Sequence, residues 1–368
     1  MAFAIGSFLI TRSIVWLGKM KAACFESVGR VDCGQKNEPV ISAPRDAIVK
    51  VSMAGLCGSD LHPFFGREAG LDRGTVMGHE MVGEIVELGS TFDNGMKVGD
   101  RVFAPFSTHC GTCYYCQIGL TSRCSAGDLF GWVQEGVGLE GCQSEYVRVP
   151  IADSTLMVMP QGLSDNDALL LGDNFSTGYF CAEMAEVKPG GTYLVIGCGT
   201  VGLLAILSAM DMGAKCVFAM DPVLERREIA ESIGAIPLES NGSGRDVVLT
   251  ATSGRGADSV MELVGLPDAQ KMAFDCVRPG GIMSVIGCHC TSNFSFSPVQ
   301  AYDKNITYRS GRCPAGHYMK LLVDRVIGGE FDLSPFITHQ FGIDEAERAY
   351  QAFSTRAEGC LKAVFCFN

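Results

Sequence analysis

Gly197-Cys198-Gly199-Thr200-Val201-Gly202 stands between a short apolar run, residues 193–196, and a longer one, residues 201–212. The first reads as a buried strand. The second is apolar nearly all round and reads as a buried helix. Strand, G-x-G-x-x-G turn and helix in that order form a cradle for a dinucleotide pyrophosphate. The first glycine permits the tight turn, the second lets the backbone approach the phosphates, and the third packs helix against strand. The loop, with Thr200 and Val201 inside it, aims the positive end of the helix dipole at the phosphates. Residues 216–220 read as the next strand and end at Asp221, nineteen residues beyond Gly202. An acid there accepts hydrogen bonds from an adenosine ribose diol and repels a 2′-phosphate, which favours NAD over NADP. Arg226 and Arg227 follow closely and make that discrimination less strict. The plain alternative for the glycines is an ordinary helix-entry turn, against which the preceding strand and the following acid both weigh.

Outward from this loop, strands and helices alternate. Residues 225–233 form a charged helix that ends at Gly234, and residues 259–264 and 282–286 are further short apolar strands. Such alternation implies a doubly wound parallel sheet, an α/β architecture. Upstream, from Met20 to about Pro160, the pattern differs. Residues 47–51, 82–88, 101–104 and 146–149 are short β-branched or apolar runs bounded by Gly, Pro and Asp. That spacing suggests a partly closed β-domain. A helix over residues 318–327 and a strand over residues 362–367 close the chain.

A length of 368 residues argues for about two domains, and 47% hydrophobic against 19% charged residues supports a sizeable core. A net charge of −12 with a pI near 5.0 speaks against nucleic acid as a partner. No apolar run reaches the roughly 18–20 residues of a membrane span. The seventeen cysteines are odd in number, and most are scattered singly in apolar stretches such as those around Cys198, Cys216 and Cys366. That usage fits reduced thiols in a reducing compartment, the cytoplasm, rather than a disulfide framework. Residues 1–19 contain Arg12 and Lys19 but no acid; they read either as a weak transit peptide or as an upstream start before Met20.

Two groups of residues carry metal chemistry. Cys110, Cys113, Cys116 and Cys124 follow C-x2-C-x2-C-x7-C, and four thiolates in fifteen residues close a tetrahedral site with no open position. Structural zinc is the expectation, stapling a loop to the β-domain; disulfides or an iron–sulfur cluster are the rivals. Cys57-Gly58-Ser59-Asp60-Leu61-His62 and Gly78-His79-Glu80 bring a thiol and an imidazole suited to zinc. A catalytic zinc takes three protein ligands and keeps one open position. Asp173, in Leu171-Gly172-Asp173-Asn174-Phe175-Ser176-Thr177-Gly178, is the candidate third ligand; a helix N-cap is its commoner job. Glu80 competes, but neighbours on a strand or a helix project apart, so His79 and Glu80 are not expected to reach one ion together.

Taken together, Ala54-Gly55-Leu56-Cys57-Gly58-Ser59-Asp60-Leu61-His62, Gly78-His79-Glu80, the cysteine quartet, Phe175-Ser176-Thr177-Gly178 and the glycine loop resemble the zinc-dependent medium-chain alcohol dehydrogenase family over nearly all of residues 20–368. The resemblance implies a GroES-like β-domain built from both chain ends, residues 20–174 and 311–368. A Rossmann NAD-binding domain, residues 175–310, is inserted between them, and residues 1–19 remain as an extension. It implies that Cys57, His79 and Asp173 hold a catalytic zinc, with Glu80 beside the metal and Asp60 orienting the histidine. It makes Ser59 and His62 the route for the alcohol proton, sets Phe106 in the substrate pocket and puts Lys362 at the cofactor pyrophosphate. The best-known members carry Cys where this chain has Asp173; branches with Asp include some glutathione-independent formaldehyde dehydrogenases and bacterial secondary alcohol dehydrogenases. The implied activity is NAD-dependent hydride transfer to or from a small alcohol or aldehyde, with two zinc ions per chain and a homo-oligomer, dimer or tetramer, as the expected state. A polyol, threonine or formaldehyde-type dehydrogenase is the neighbouring reading. A catalytically silent dinucleotide-binding protein is the reading from another class.

Overall fold

The computed structural model describes residues 18–92 and 94–367. The extension expected over residues 1–19 lies, as far as residue 17, outside them. The chain opens with an antiparallel hairpin, β1 (Lys19–Ser27) and β2 (Arg30–Asn37). Then come β3 (Ala47–Gly55), α1 (Leu61–Phe64), β4 (Met81–Leu88), β5 (Arg101–Phe103), α2 (Tyr114–Gln117), the hairpin β6 (Trp132–Gln134) and β7 (Val137–Leu139), β8 (Tyr146–Val149), α3 (Ala152–Thr155) and β9 (Met157–Val158). Two helices, α4 (Asp165–Gly172) and α5 (Asn174–Met184), lead into β10 (Thr192–Ile196), α6 (Thr200–Asp211), β11 (Cys216–Met220), α7 (Leu224–Ser232) and β12 (Ile236–Leu238). The alternation continues through α8 (Gly242–Ala251), β13 (Ala257–Glu262), α9 (Pro267–Cys276), β14 (Val277–Val285), α10 (Pro298–Lys304) and β15 (Thr307–Ser310). The chain closes with α11 (Ala315–Ile327), β16 (His339–Phe341), α12 (Ala346–Thr355) and β17 (Ala363–Cys366).

The six central strands form one sheet in the order β12-β11-β10-β13-β14-β15, every pair parallel. Strand β10 lies inside the sheet, so the chain runs outward to β12 and then crosses back to β13. That reversal opens a crevice at the carboxyl end of β10, where open α/β sheets bind ligands. The pleat explains why its residues read as one apolar run. Tyr193 and Val195 enter one core cluster, Leu194 and Ile196 the other, and all are buried. Helix α6 begins at Thr200, one residue before the expected start, and buries Leu203, Leu204, Ala205 and Ile206.

The second sheet runs β16-β17-β3-β4-β5-β9, with β8 paired to β3. Its β17 comes from the chain terminus and lies antiparallel to β3, pairing Val364 with Gly55. Two expected strands shift. The strand expected over 259–264 ends at Glu262, whose Oε1 accepts the N–H groups of Val264 (2.7 Å) and Gly265 (2.8 Å) and turns the chain out of the sheet. The one expected over 282–286 starts at Val277, through a Pro279-Gly280-Gly281 run whose poor strand propensity hides it. Among the described residues no helix is long and apolar enough to cross a membrane.

Candidate active site

Cys57 follows β3 and opens a tight turn. The carboxylate of Asp60 reaches back to accept the Cys57 N–H at 2.9 Å, which fixes both residues. His79 and Glu80 precede β4. The backbone there is not yet strand, and Gly78 is left-handed, with φ of +84°. The alternation of a regular strand therefore does not apply, and both side chains enter one cluster, contrary to the expectation that they project apart. Asp173 sits between α4 and α5 with extended φ, and its side chain caps neither helix. Instead Oδ2 lies 3.3 Å from Cys57 Sγ and 3.5 Å from His79 Nε2. Its other oxygen accepts the Thr177 hydroxyl at 3.1 Å.

Bonds of about 2.3 Å to sulfur, and about 2.0–2.2 Å to nitrogen and oxygen, set tetrahedral edges of about 3.4–3.6 Å. Asp173 Oδ2 stands within about 0.1 Å of those separations from both Cys57 Sγ and His79 Nε2, and all three donor atoms lie within 4.8 Å of one another. Charge gives a second test. Cys57 as thiolate, Asp173, Glu80 and the adjoining Asp60 bring four negative charges into a buried region, and Lys362 brings one positive charge. Uncompensated buried charge is costly, and a divalent cation offsets most of that excess. Burial, and then the Asp173 charge, hold the Cys57 thiol above its ordinary value in the metal-free protein. Burial alone would lower His79, but Asp60 and Asp173 outweigh it and raise the imidazole.

A buried network fixes this cluster. Asp60 Oδ1 is 3.3 Å from His79 Nδ1, which leaves Nε2 for the cluster, the arrangement expected of an orienting carboxylate. Gln143 Nε2 donates to Asp60 Oδ2 at 3.3 Å, and the Tyr350 hydroxyl donates to Gln143 Oε1 at 2.8 Å. Asn174 Nδ2 donates to Glu80 Oε1 and Asp173 Oδ2, each at 3.0 Å. Gln143, Tyr350 and Asn174 carried no expectation. Only Asn174, next to Asp173 in the quoted stretch, left a local signal. Lys362, expected at the cofactor pyrophosphate, also makes a buried contact within the protein. It is 1% exposed, and its ammonium donates to Glu80 Oε1 at 2.6 Å. The physical reason is the buried Glu80 carboxylate, which burial pushes up and Lys362 draws back down.

Ser59 Oγ lies 3.4 Å from His79 Nε2 and is half-buried. His62, on α1, is buried, and burial, then the Arg67 charge, lower its pKa. Among the described residues no hydrogen bond joins Ser59 to His62. Phe106 sets its ring edge-on to His79, 6.2 Å between centroids.

At the glycine loop, a Cβ on Gly202 would fall 1.8 Å from the Gly197 carbonyl, so helix and loop approach as closely as glycine permits. A Cβ on Gly199 would meet nothing nearer than Arg226 Nη1 at 3.9 Å, which leaves the cradle open. Asp221 ends β11 beside the loop. Its oxygens accept the N–H groups of Cys198 and Val223, each at 2.8 Å, and Arg226 Nη1 lies 3.8 Å away. Each carboxylate oxygen still has a lone pair to offer a diol.

The quartet also gathers. The sulfurs of Cys110, Cys113, Cys116 and Cys124 lie within 4.8 Å of one another, and those of Cys113 and Cys124 are 3.9 Å apart. Backbone N–H groups of Cys113 and Ala126 point at Cys110 and Cys124 sulfurs, at 3.3 and 3.4 Å. Backbone donors from Cys116 and Ser125 lower the Cys113 thiol to about 5, the behaviour of a thiolate ligand. All seventeen cysteines are free, which removes the disulfide rival. The loop does not lean on the β-sheet alone: Ser122 Oγ donates to the Arg312 carbonyl at 2.9 Å, ahead of α11.

Residues 43–161 match the family described as alcohol dehydrogenase GroES-like domain, and residues 200–326 match that described as zinc-binding dehydrogenase. The chain is 39% identical over 345 residues to zinc-type alcohol dehydrogenase B of Aspergillus flavus, covering 91% of this chain and 79% of that one. It is 35% identical over 350 residues to a probable zinc-binding alcohol dehydrogenase of Mycobacterium tuberculosis, covering 95% and 88%. Among solved structures it is similar to an alcohol dehydrogenase from Thermus sp. ATN1, with a TM-score of 0.87, 34% identity and coverage of 95% and 100%.

Proposed function

This chain belongs to the zinc-dependent medium-chain alcohol dehydrogenases, oxidoreductases that move a hydride between an alcohol or aldehyde and NAD, and from that premise we propose that Cys57, His79 and Asp173 hold its catalytic zinc. The observation that carries this reading is the Asp173 carboxylate, turned away from the helix it precedes and set 3.3 Å from Cys57 Sγ and 3.5 Å from His79 Nε2. It supports a reading of the enzyme among the branches that use aspartate as third ligand. The quartet holds a second, structural zinc.

When bound, zinc supplies the Lewis acidity that eases loss of the alcohol proton, and the nicotinamide supplies the hydride acceptor. The protein does the rest. The Ser59 hydroxyl, beside His79, takes the alcohol proton as it gives up its own. His62, kept neutral by its burial, is the base from which that proton leaves. Asp60 fixes the His79 tautomer, and Lys362 neutralises Glu80 beside the cluster. Gly197, Gly199, Thr200, Val201 and Gly202 cradle the pyrophosphate with Arg226 above them, and Asp221 selects NAD. Strand pairing between β17 and β3 supports a catalytic domain of residues 20–174 with 311–368 around a cofactor domain of residues 175–310. Seventeen free thiols support a cytoplasmic enzyme, and closed symmetry favours a homo-oligomer whose order sedimentation would read.

The test is Asp173→Asn. Zinc content should fall by one equivalent and turnover should vanish together, while Asp173→Cys restores the metal. Full zinc with near-parental turnover in the Asn variant would transfer the ligand role to Glu80.

A further inference from the structure

Beyond β14 the chain leaves the sheet as Ile286-Gly287-Cys288-His289-Cys290. Alternate residues of an extended segment point to the same side. His289 turns inward, where its Nε2 lies 2.9 Å from Glu262 Oε2. Cys288 and Cys290 are exposed, unlike the cysteines packed in the cores. Opposite them stands His62, on α1 and 228 residues away in sequence from Cys290, with its Nδ1 3.6 Å from Cys290 Sγ. The two sulfurs and a ring nitrogen of His62 all lie within 4.8 Å of one another.

We propose that Cys288, Cys290 and His62 form a further metal site, for zinc or another thiophilic divalent cation, which bridges the cleft between the two sheets and holds the enzyme inactive while it is filled. The donor chemistry selects the cation, because two thiolates and an imidazole suit zinc or cadmium and not magnesium or calcium. The geometry fits as well. Zinc–sulfur and zinc–nitrogen bonds of about 2.3 and 2.0–2.1 Å give a tetrahedral edge of about 3.6 Å, the separation of Cys290 Sγ from His62 Nδ1. A cavity of 330 Å³ lined by Arg123, Asn293 and Arg312 reaches Cys288, and Cys290 is itself exposed, so metal can approach the site from the sulfur side. The donors are separate from Cys57, His79, Glu80 and Asp173, which form a group of their own. Binding releases the thiol protons and leaves the fourth position to water. The charges nearby are mixed, with Glu68 negative towards both thiols, Arg312 positive towards Cys288 and Arg67 positive towards Cys290. The site is accordingly weaker than the quartet and responds to free metal. A cation on Nδ1 removes His62 as a base and ties the 286–290 segment to α1. The inhibition, though not the binding, rests on the proton route proposed above.

The experiment uses the holoenzyme with its resident metal, dialysed to equilibrium against buffered Zn²⁺ or Cd²⁺ and read against the protein-free side. The parent should gain one equivalent above its resident content and, with cadmium, a thiolate-to-metal absorption band. The Cys288→Ser/Cys290→Ser variant should gain neither. His62→Gln should keep the band but bind roughly tenfold or more weakly. Added zinc should suppress parental alcohol turnover reversibly, whereas the ratio of turnover with and without zinc should stay near one in the double variant. A parent that gains no metal, or a double variant that still gains it, overturns the site. Gain of metal without loss of turnover overturns the regulatory half. Because metal counting needs no substrate, a failure of the dehydrogenase reading would leave the binding result standing.

Discussion

Asp173 stands at a helix junction, where an aspartate ordinarily accepts backbone N–H groups. Here its side chain accepts none of them and faces Cys57 and His79 instead. The residue beside it matters as much, because Asn174 joins Asp173 to Glu80 and so ties the cluster to Lys362. Removing one partner of a buried ion pair costs about 3–5 kcal/mol, because the other charge is left unpaired. Lys362→Met should therefore lower the melting temperature sharply, and adding Glu80→Gln should recover most of the loss. Recovery is the discriminating result; an ammonium that served only the cofactor would leave stability unchanged in both variants. His62 predicts a pH profile. Burial lowers its pKa below the ordinary value of about 6.5, so the imidazole is neutral at pH 7 and able to take a proton. As pH falls through that lowered value the base is lost, so the acid limb of kcat/KM for alcohol oxidation should lie below about pH 6.5. His62→Gln should abolish the limb. Asp221→Gly should raise turnover with NADP relative to NAD by removing the repulsion of the 2′-phosphate, with Arg226 left to meet it.

At the scale of elements, two packings decide the site. Helices α5 and α6 cross so closely that a Cβ on Gly178 would lie 2.7 Å from the Ala205 nitrogen. The same α5 begins immediately after Asp173, so this crossing sets where the carboxylate stands. Gly178→Ala should force the helices apart at a cost of about 1–3 kcal/mol. The shift should also weaken zinc retention, read by metal content after exposure to a chelator; unchanged retention would uncouple the crossing from the site. The quartet loop, with α2 inside it, buries few apolar side chains, and Tyr114, Tyr115 and Ile118 are exposed. A loop without a core depends on its metal. Cys113→Ser should remove one zinc and lower thermal stability while the catalytic zinc remains, as elemental analysis and a melting curve would show.

At the scale of the whole molecule, the chain end completes what the chain start begins. Strand β17 lies between β16 and β3, and Phe365 is fully buried. Deleting residues 361–368 should open the second sheet and remove Lys362 from Glu80, leaving a protein without a cooperative unfolding transition. A cooperative transition in the truncated chain would refute that dependence. The glycine loop, Asp221, the cysteine quartet and the Cys57–His62 turn were legible in the sequence because each is a local device. A few consecutive residues set the backbone, and spacing alone reports the chemistry. The parallel sheet was legible for the same reason, since apolar runs alternate with helices along the chain. Lys362 against Glu80, Gln143 and Tyr350 behind Asp60, and Cys290 facing His62 had no such signature. The partners in these pairs lie from 83 to 282 residues apart. Sequence determined which donors exist and how each local turn presents them. Which donors share a buried volume was decided only when the sheets packed, because the energy that selects those pairs, the cost of burying a charge or polar group alone, appears only once water has been excluded.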